Sequence, residues 1–262
     1  MFIDAHAHLD MYKGNRRKII SQIEENKIFT ISNSMDIPSY QENMILSEFS
    51  EYIIPTFGIH PWNAPEYASD LNPLRNCIRS SKMIGEVGLD FHFVKDSSEY
   101  AAQKKIFEFF LQSAQDQQKI ITIHTKGAEK EVLSLLKKYN LERVIIHWYS
   151  GPINIFRELI SLGVFFTFGV EVLTSKEIQA LAKELPSNLL LTETDNPGGY
   201  KWLRGKEGQP SILFEVIKKL AELNETEPYN IQRAAHTNFI RLIRNDHNLS
   251  EIYRFLLDDL ID

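Results

Sequence analysis

Eight short apolar runs, separated by longer amphipathic stretches, limit the folds open to this chain more than any other feature. They are FIDA (2–5), KIFTIS (27–32), YIIPTF (52–57), KMIGEV (82–87), KIITI (119–123), RVIIH (143–147), GVFFTF (163–168) and NLLLT (188–192). Most are continuously apolar and rich in β-branched and aromatic residues, as strands covered on both faces are. The stretches between them carry helical periodicity. In 99–118, Ala102, Ile106, Phe109, Phe110 and Ala114 recur at helical spacing; in 127–139, Ala128, Val132, Leu135, Leu136 and Tyr139 do the same. Segments 153–162 and 174–185 follow the pattern less fully. Strand–helix alternation sustained over about 220 residues predicts an α/β chain of the (β/α)8 TIM-barrel class. An open doubly wound sheet is the competing arrangement, but nothing like GxGxxG follows the first strand. Segments 211–223, 228–243 and 249–260 read as the eighth barrel helix and extra C-terminal helices. The stretch NPGGYKWLRGKEGQP (196–210) follows the last strand and is expected to be a loop at the active site. With no repeat, linker or low-complexity segment, residues 1–262 are expected to form one domain.

Charge and cysteine content narrow the function classes. Lys and Arg number 29 against 35 Asp and Glu, a net charge of −6, which argues against a broad basic nucleic-acid-binding face. It leaves room for phosphate chemistry whose positive charge comes from metal ions. Cys77 is the one cysteine, so no intramolecular disulfide can form. It lies in the amphipathic NPLRNCIRS stretch and reads as an inert, half-buried thiol. No apolar run approaches the roughly 20 residues of a membrane span. The opening MFIDAHAHLD has neither the basic nor the apolar part of a signal peptide, and a cytoplasmic location is expected.

The histidines carry the chemistry. Five of the eight fall at or just beyond strand ends: His6 and His8 as HxH, His60 in FGIHPW, His124 in ITIHTK and His147 in VIIHWYSG. Glu86 in IGEVGLD and Asp195 in LLTETDNP join them. Residues i and i+2 of an extended segment point the same way, so His6 and His8 can reach one ion. A barrel collects its chemistry at the C-terminal ends of its strands. Imidazole together with carboxylate suits Zn, Mn, Fe, Ni or Co rather than Ca. His6, His8, His124, His147, Glu86 and Asp195 exceed the needs of one tetrahedral ion and suit two ions sharing a carboxylate. Of the remaining histidines, His92 could line the mouth, His236 reads as structural and His247 as solvated.

At this point the chain resembles the TatD family of metal-dependent hydrolases, within the amidohydrolase-like superfamily. The matching segments, in order, are IDAHAHLD, GIHPW, IGEVGLDF, QKKIFEFFLQSA, IHTKGAEKE, IIHWYSG, LLTETDNP and HTNFIRLI. The resemblance implies a first metal held by His6, His8 and Asp195, a second held by His124 and His147, and Glu86 bridging them. It implies His60 as a contact to substrate phosphate or solvent, and Glu193 as a group supporting the ligands. It further implies phosphodiester hydrolysis, as a deoxyribonuclease acting from single-stranded or frayed DNA ends with two divalent ions (Mg, Mn or Zn). Water activated by the two ions would attack phosphorus, with Asp195 as ligand and proton acceptor, and Lys126 and Arg204 as basic contacts to the phosphate.

Substrate-facing positions depart from the family pattern: His92 replaces an aromatic, Trp148 and Tyr149 replace Cys-Phe, Lys126 replaces Arg, and loop 196–210 lacks the usual Pro-Tyr-Leu run. Two other functions fit the same residues. One is hydrolysis of a small amide, lactone or phosphoester by the same metal pair. The other is a metal-binding assembly partner with vestigial activity.

Overall fold

The computed structural model describes residues 1–261. In chain order the elements are β1 Phe2–Ala7, α1 Arg16–Glu25, β2 Ile28–Ser32, α2 Ile37–Ser47, β3 Ile53–Pro55, α3 Ala64–Tyr67, α4 Asn72–Ser80, β4 Ile84–Asp90, α5 Tyr100–Gln117 and β5 Ile121–Lys126. They continue with α6 Glu129–Tyr139, β6 Val144–Ile146, α7 Ile153–Ser161, β7 Phe165–Phe168, α8 Lys176–Glu184, β8 Leu190–Thr192, α9 Gly198–Arg204, α10 Ile212–Leu223, α11 Pro228–Ile243 and α12 Ser250–Ile261. All eight expected strands form, and the helical stretches become α5 to α8 and α10 to α12 within about two residues of their expected ends. Among the described residues no helix is long and apolar enough to cross a membrane.

The chain divides into two compact units. The first comprises residues 1–32, 44–54 and 166–261, the second 33–43 and 55–165. In the first, β1 pairs in parallel with β2, and β7 with β8. β8 lies beside β1: Thr192 Oγ1 donates to the Ile3 carbonyl, and Asp195 N donates to the His6 carbonyl at 2.8 Å. One part of its core gathers Ala7, Leu9, Tyr12, Ile19, Ile20, Ile23, Leu46 and Ile53, so α1 packs its apolar stripe against the end of β1. The closing HTNFIRLI motif has a direct job here. Buried Asn238 on α11 donates to the carbonyls of Ser187 and Leu190, both at 2.8 Å, and Arg241 donates to the carbonyl of Asn188. α11 is thereby tied to the start of the strand that leads to Asp195.

In the second unit β4, β5 and β6 run parallel in that order. Gly88 of β4 pairs with His124 of β5, and a Cβ there would stand 2.0 Å from the His124 carbonyl oxygen. A side chain at 88 would push β5 away, so IGEVGLD needs its second glycine. Lys119, two residues before β5, is buried and donates to the carbonyls of Ile78, Arg79 and Ser81, closing the last turn of α4. Cys77 is half-buried on α4, as expected.

Three strand ends differ from expectation in a way that matters for function. β1 runs on through His6 and Ala7, β4 through Asp90 and β5 through Lys126. Glu86 is therefore the third residue of β4 and not its end. The extensions carry polar side chains, but the ladder continues along them, with Leu89 opposite Thr125 and Asp90 opposite Lys126. The expected loop 196–210 also contains a helix, α9. Its first turn starts from Gly199 N donating to the Asp195 carbonyl at 2.6 Å, and Gly205 in the left-handed region ends it.

Candidate metal centre

Each unit presents its own set of metal-binding donors. In the first unit the set stands where β1 and β8 end. His6 and His8 are buried on the same side of an extended segment, with their Nε2 atoms 3.2 Å apart. Asp195 Oδ1 lies 3.3 Å from His8 Nε2 and 3.7 Å from His6 Nε2. Bonds of about 2.0–2.2 Å to one ion put neighbouring donors roughly 3–3.6 Å apart, so this spacing fits a single ion. Backbone bonds set the geometry: Asp195 N donates to the His6 carbonyl, and His8 N to the Asn196 carbonyl at 2.7 Å.

The backbone of Asp195 is left-handed, φ +50°, a region that aspartate tolerates better than most side chains. Beneath it, Asp4 accepts from Thr194 N at 2.9 Å and Thr194 Oγ1 at 2.7 Å. Burial pushes the Asp4 carboxyl up to about 7 despite those bonds. Glu193 is fully buried and accepts from Thr167 Oγ1 at 2.6 Å. Arg204 is exposed on α9, where Lys201 and Trp202 are exposed as well.

In the second unit three imidazoles converge on one oxygen, Glu86 Oε1. His147 Nε2 is 2.7 Å from it, His124 Nδ1 2.9 Å and His60 Nε2 3.5 Å. His124 Nδ1 and His147 Nε2 are 3.3 Å apart. Glu86, His60, His124 and His147 are all buried. Convergence of imidazole nitrogens and a carboxylate at this spacing is the donor chemistry of a transition-metal or zinc site. The family resemblance implies His60 as a contact to substrate phosphate or solvent; at 3.5 Å from Glu86 Oε1 it also stands within reach of an ion held there. Trp148, directly after His147, has φ +41°, an outlier for so bulky a residue and of the kind that gathers at functional sites. Lys126 ends β5 with its ammonium 2.7 Å from Ser150 Oγ and 5.6 Å from the centre of the Trp148 ring.

Asp90 is the residue that sequence reasoning missed. It is fully buried, and its Oδ2 accepts from His124 Nε2 at 3.2 Å and from Trp62 Nε1 at 2.8 Å. Its Oδ1 accepts the backbone N–H groups of His92 at 2.9 Å and Phe93 at 2.7 Å. Gln103 of α5 grips the Asp90 backbone from both sides, accepting from its N–H at 2.9 Å and donating to its carbonyl at 3.2 Å. Burial works to raise the Asp90 carboxyl, but the His124, Phe93 and Trp62 bonds outweigh it and hold the group well below the usual carboxylate range. A carboxylate on the far nitrogen of a ligating histidine fixes that ring's tautomer. With Nε2–H given to Asp90, His124 keeps the Nδ1 lone pair turned toward Glu86 and His147.

These donors define a metal-binding α/β protein, and comparison with known proteins gives the class a family. The chain matches the family described as TatD related DNase over residues 3–244, and it belongs to that family. A metal-dependent hydrolase of Bacillus subtilis, YabD, is 30% identical over 93% of this chain and 99% of its own length. The crystal structure of YJJV, a TatD homologue from Escherichia coli, superposes with a TM-score of 0.84 at 20% identity, covering 92% of this chain and 97% of that one. A TatD-family hydrolase structure from Entamoeba histolytica superposes at 0.78 with 18% identity, over 92% and 97% of the two chains. The fold is α/β of the (β/α)8 TIM-barrel class with additional C-terminal helices, and the chain is a metal-dependent hydrolase of the TatD family.

Proposed function

We propose that this protein hydrolyses phosphodiester bonds in DNA, trimming single-stranded or frayed ends with two divalent ions, Mg, Mn or Zn. The observation that carries the reading is the presence of two donor sets, His6 with His8 and Asp195, and Glu86 with His124 and His147. Divalent ions, when bound, supply Lewis acidity: they acidify water and neutralise charge on phosphate.

The chain's own residues do the rest. The Asp195 side chain is 19% exposed while His6 and His8 are buried, so its carboxylate is the group of that set open to a water molecule and able to accept its proton. Glu193 and Asp4 hold the strand end that positions Asp195. His124 is oriented by Asp90 and would hold a bound ion through Nδ1. Lys126 meets charge building on the phosphate oxygens, with the Trp148 face steadying its ammonium, and Arg204 is a second candidate basic contact to phosphate. His60 acts at the same place, either on substrate or as a ligand. With a net charge of −6 the protein attracts a nucleic-acid backbone only locally, which favours end-directed action over wrapping. The same reading sets the activity in the cytoplasm.

The test joins elemental analysis to activity on oligonucleotides blocked at the 3′ or the 5′ end, with Mg, Mn and Zn supplied in turn. Metal-dependent shortening from one end supports the proposal. Bound metal without oligonucleotide hydrolysis, and with turnover of small amides or lactones instead, refutes it.

A further inference from the structure

The turns that follow β3 and β4 carry aromatic rings that the fold leaves half in solvent. Trp62 and Phe93 are each 49% exposed, with ring centroids 6.1 Å apart and planes at 80°. His92, also exposed, meets the Phe93 ring edge-on at 4.7 Å, and Trp62 meets His60 edge-on at 4.7 Å. Rings of this size are ordinarily driven inward by the apolar area they carry. These are left out yet are firmly positioned, and Asp90 positions them. Its Oδ1 fixes the backbone at His92 and Phe93, while its Oδ2 fixes the indole of Trp62 and the imidazole of His124 together. One buried carboxylate therefore sets the aromatic pair at a fixed displacement from the donor set around Glu86.

We propose that Trp62 and Phe93 form a stacking subsite for a nucleobase carried by the strand whose phosphate is cleaved. This deepens the phosphodiesterase reading and rests on it. A nucleobase fits for three reasons. Every base offers a π-face, and an aromatic side chain takes it whatever the sequence. Single strands and frayed ends present bases already unstacked. The net charge of −6 withholds general attraction to the backbone, so affinity must come from local contacts such as these. A docked protein would need a wider apolar surface, and Lys95, Asp96, Ser97 and Ser98 end this one with exposed polar residues.

Two measurements test the subsite. The first compares hydrolysis of an oligodeoxyadenylate with the same strand bearing an abasic residue at each position in turn. In the unaltered protein, loss of the base at one position should raise KM by roughly 5- to 100-fold, the size of one base–aromatic stack. In Phe93→Ala the base and abasic strands should converge to within about twofold at that position. The second uses metal-free protein and follows tryptophan emission as the oligodeoxyadenylate is added. Quenching should occur with the base-bearing strand, fail with a fully abasic one and disappear in Trp62→Phe. If no DNA is hydrolysed but base-dependent quenching is seen, the phosphodiesterase reading fails and the subsite stands. If quenching is the same with abasic strands, or base discrimination in hydrolysis is untouched by Phe93→Ala, the subsite is overturned.

Discussion

Replacing Asp90 with asparagine tests how the second donor set is tuned. The carboxylate accepts four hydrogen bonds, two at each oxygen. Asparagine keeps one acceptor oxygen. The backbone N–H groups of His92 and Phe93 cannot rotate away, so that oxygen stays with them and the amide nitrogen turns to Trp62 and His124. The Trp62 N–H can then bond to water, because the residue is half-exposed. His124 has no such escape. Its Nε2 must now accept a proton, which moves the ring hydrogen to Nδ1, the nitrogen that stands 2.9 Å from Glu86 and 3.3 Å from His147 Nε2. A protonated Nδ1 cannot bind metal. The expected result is a metal affinity about 10- to 100-fold weaker, as for other losses of a carboxylate behind a ligating histidine. A stability cost of about 1–3 kcal/mol should accompany it, for a buried donor facing a donor. Calorimetric titration of chelator-stripped protein with Zn or Mn, beside a urea melt, reads both quantities. An affinity within about threefold of the unaltered protein would refute the tautomer argument.

Three further outcomes are expected. Asp195→Asn keeps one ligand oxygen but loses the basic one, so turnover should fall by roughly 10²–10⁴ while metal is largely retained; turnover within a few-fold, with metal bound, would remove Asp195 as the base. Glu86→Ala should lose metal and activity together, and elemental analysis will assign it: loss of both ions fits the bridging role implied by the family resemblance, and loss of one makes Glu86 a ligand of the second ion alone. His236, buried on α11, is held down to about 4 from 6.5, first by burial and then by the positive amino terminus. The unfolded chain therefore binds a proton that the folded one refuses between those values, so stability is full above about 6.5 and falls as pH drops toward 4, by at most about 3 kcal/mol. Urea melts at pH 7 and pH 5 should show a smaller difference in His236→Leu, and an unchanged difference would contradict this assignment.

The strands were legible because parallel strands covered on both faces are apolar throughout, as in KIITI and NLLLT. Their ends were not, because β1, β4 and β5 run on through polar residues such as His6, Asp90 and His124, which in sequence look like the start of a loop. The same feature hid Asp90. A strand read as stopping at 87 leaves Asp90 in a turn, whereas in the ladder it is buried opposite Lys126. The donors His6, His8, Glu86, His124, His147 and Asp195 stood out because HxH and strand-end histidines are unusual in combination. Trp62 and Phe93 gave no such signal, since aromatic residues near a strand end more often enter the core. α9 was hidden by Pro197, Gly198 and Gly199, which read as helix breakers, although a helix's first turn accepts all three.

The left-handed backbone at Asp195 restricts which residues can ever occupy this position. Glycine, asparagine and histidine would satisfy the torsion but supply no anionic base, whereas glutamate would supply one at the expense of the torsion. Aspartate alone meets both demands, so a library randomised at 195 should divide by selection pressure. Variants sorted for folded yield would enrich glycine and asparagine alongside aspartate, and variants sorted for turnover would return aspartate by itself. If Asp195 is the base, as proposed, drift at this codon is hemmed in twice, by conformation and by reactivity, in a way that neither His6 nor His8 is on its extended strand.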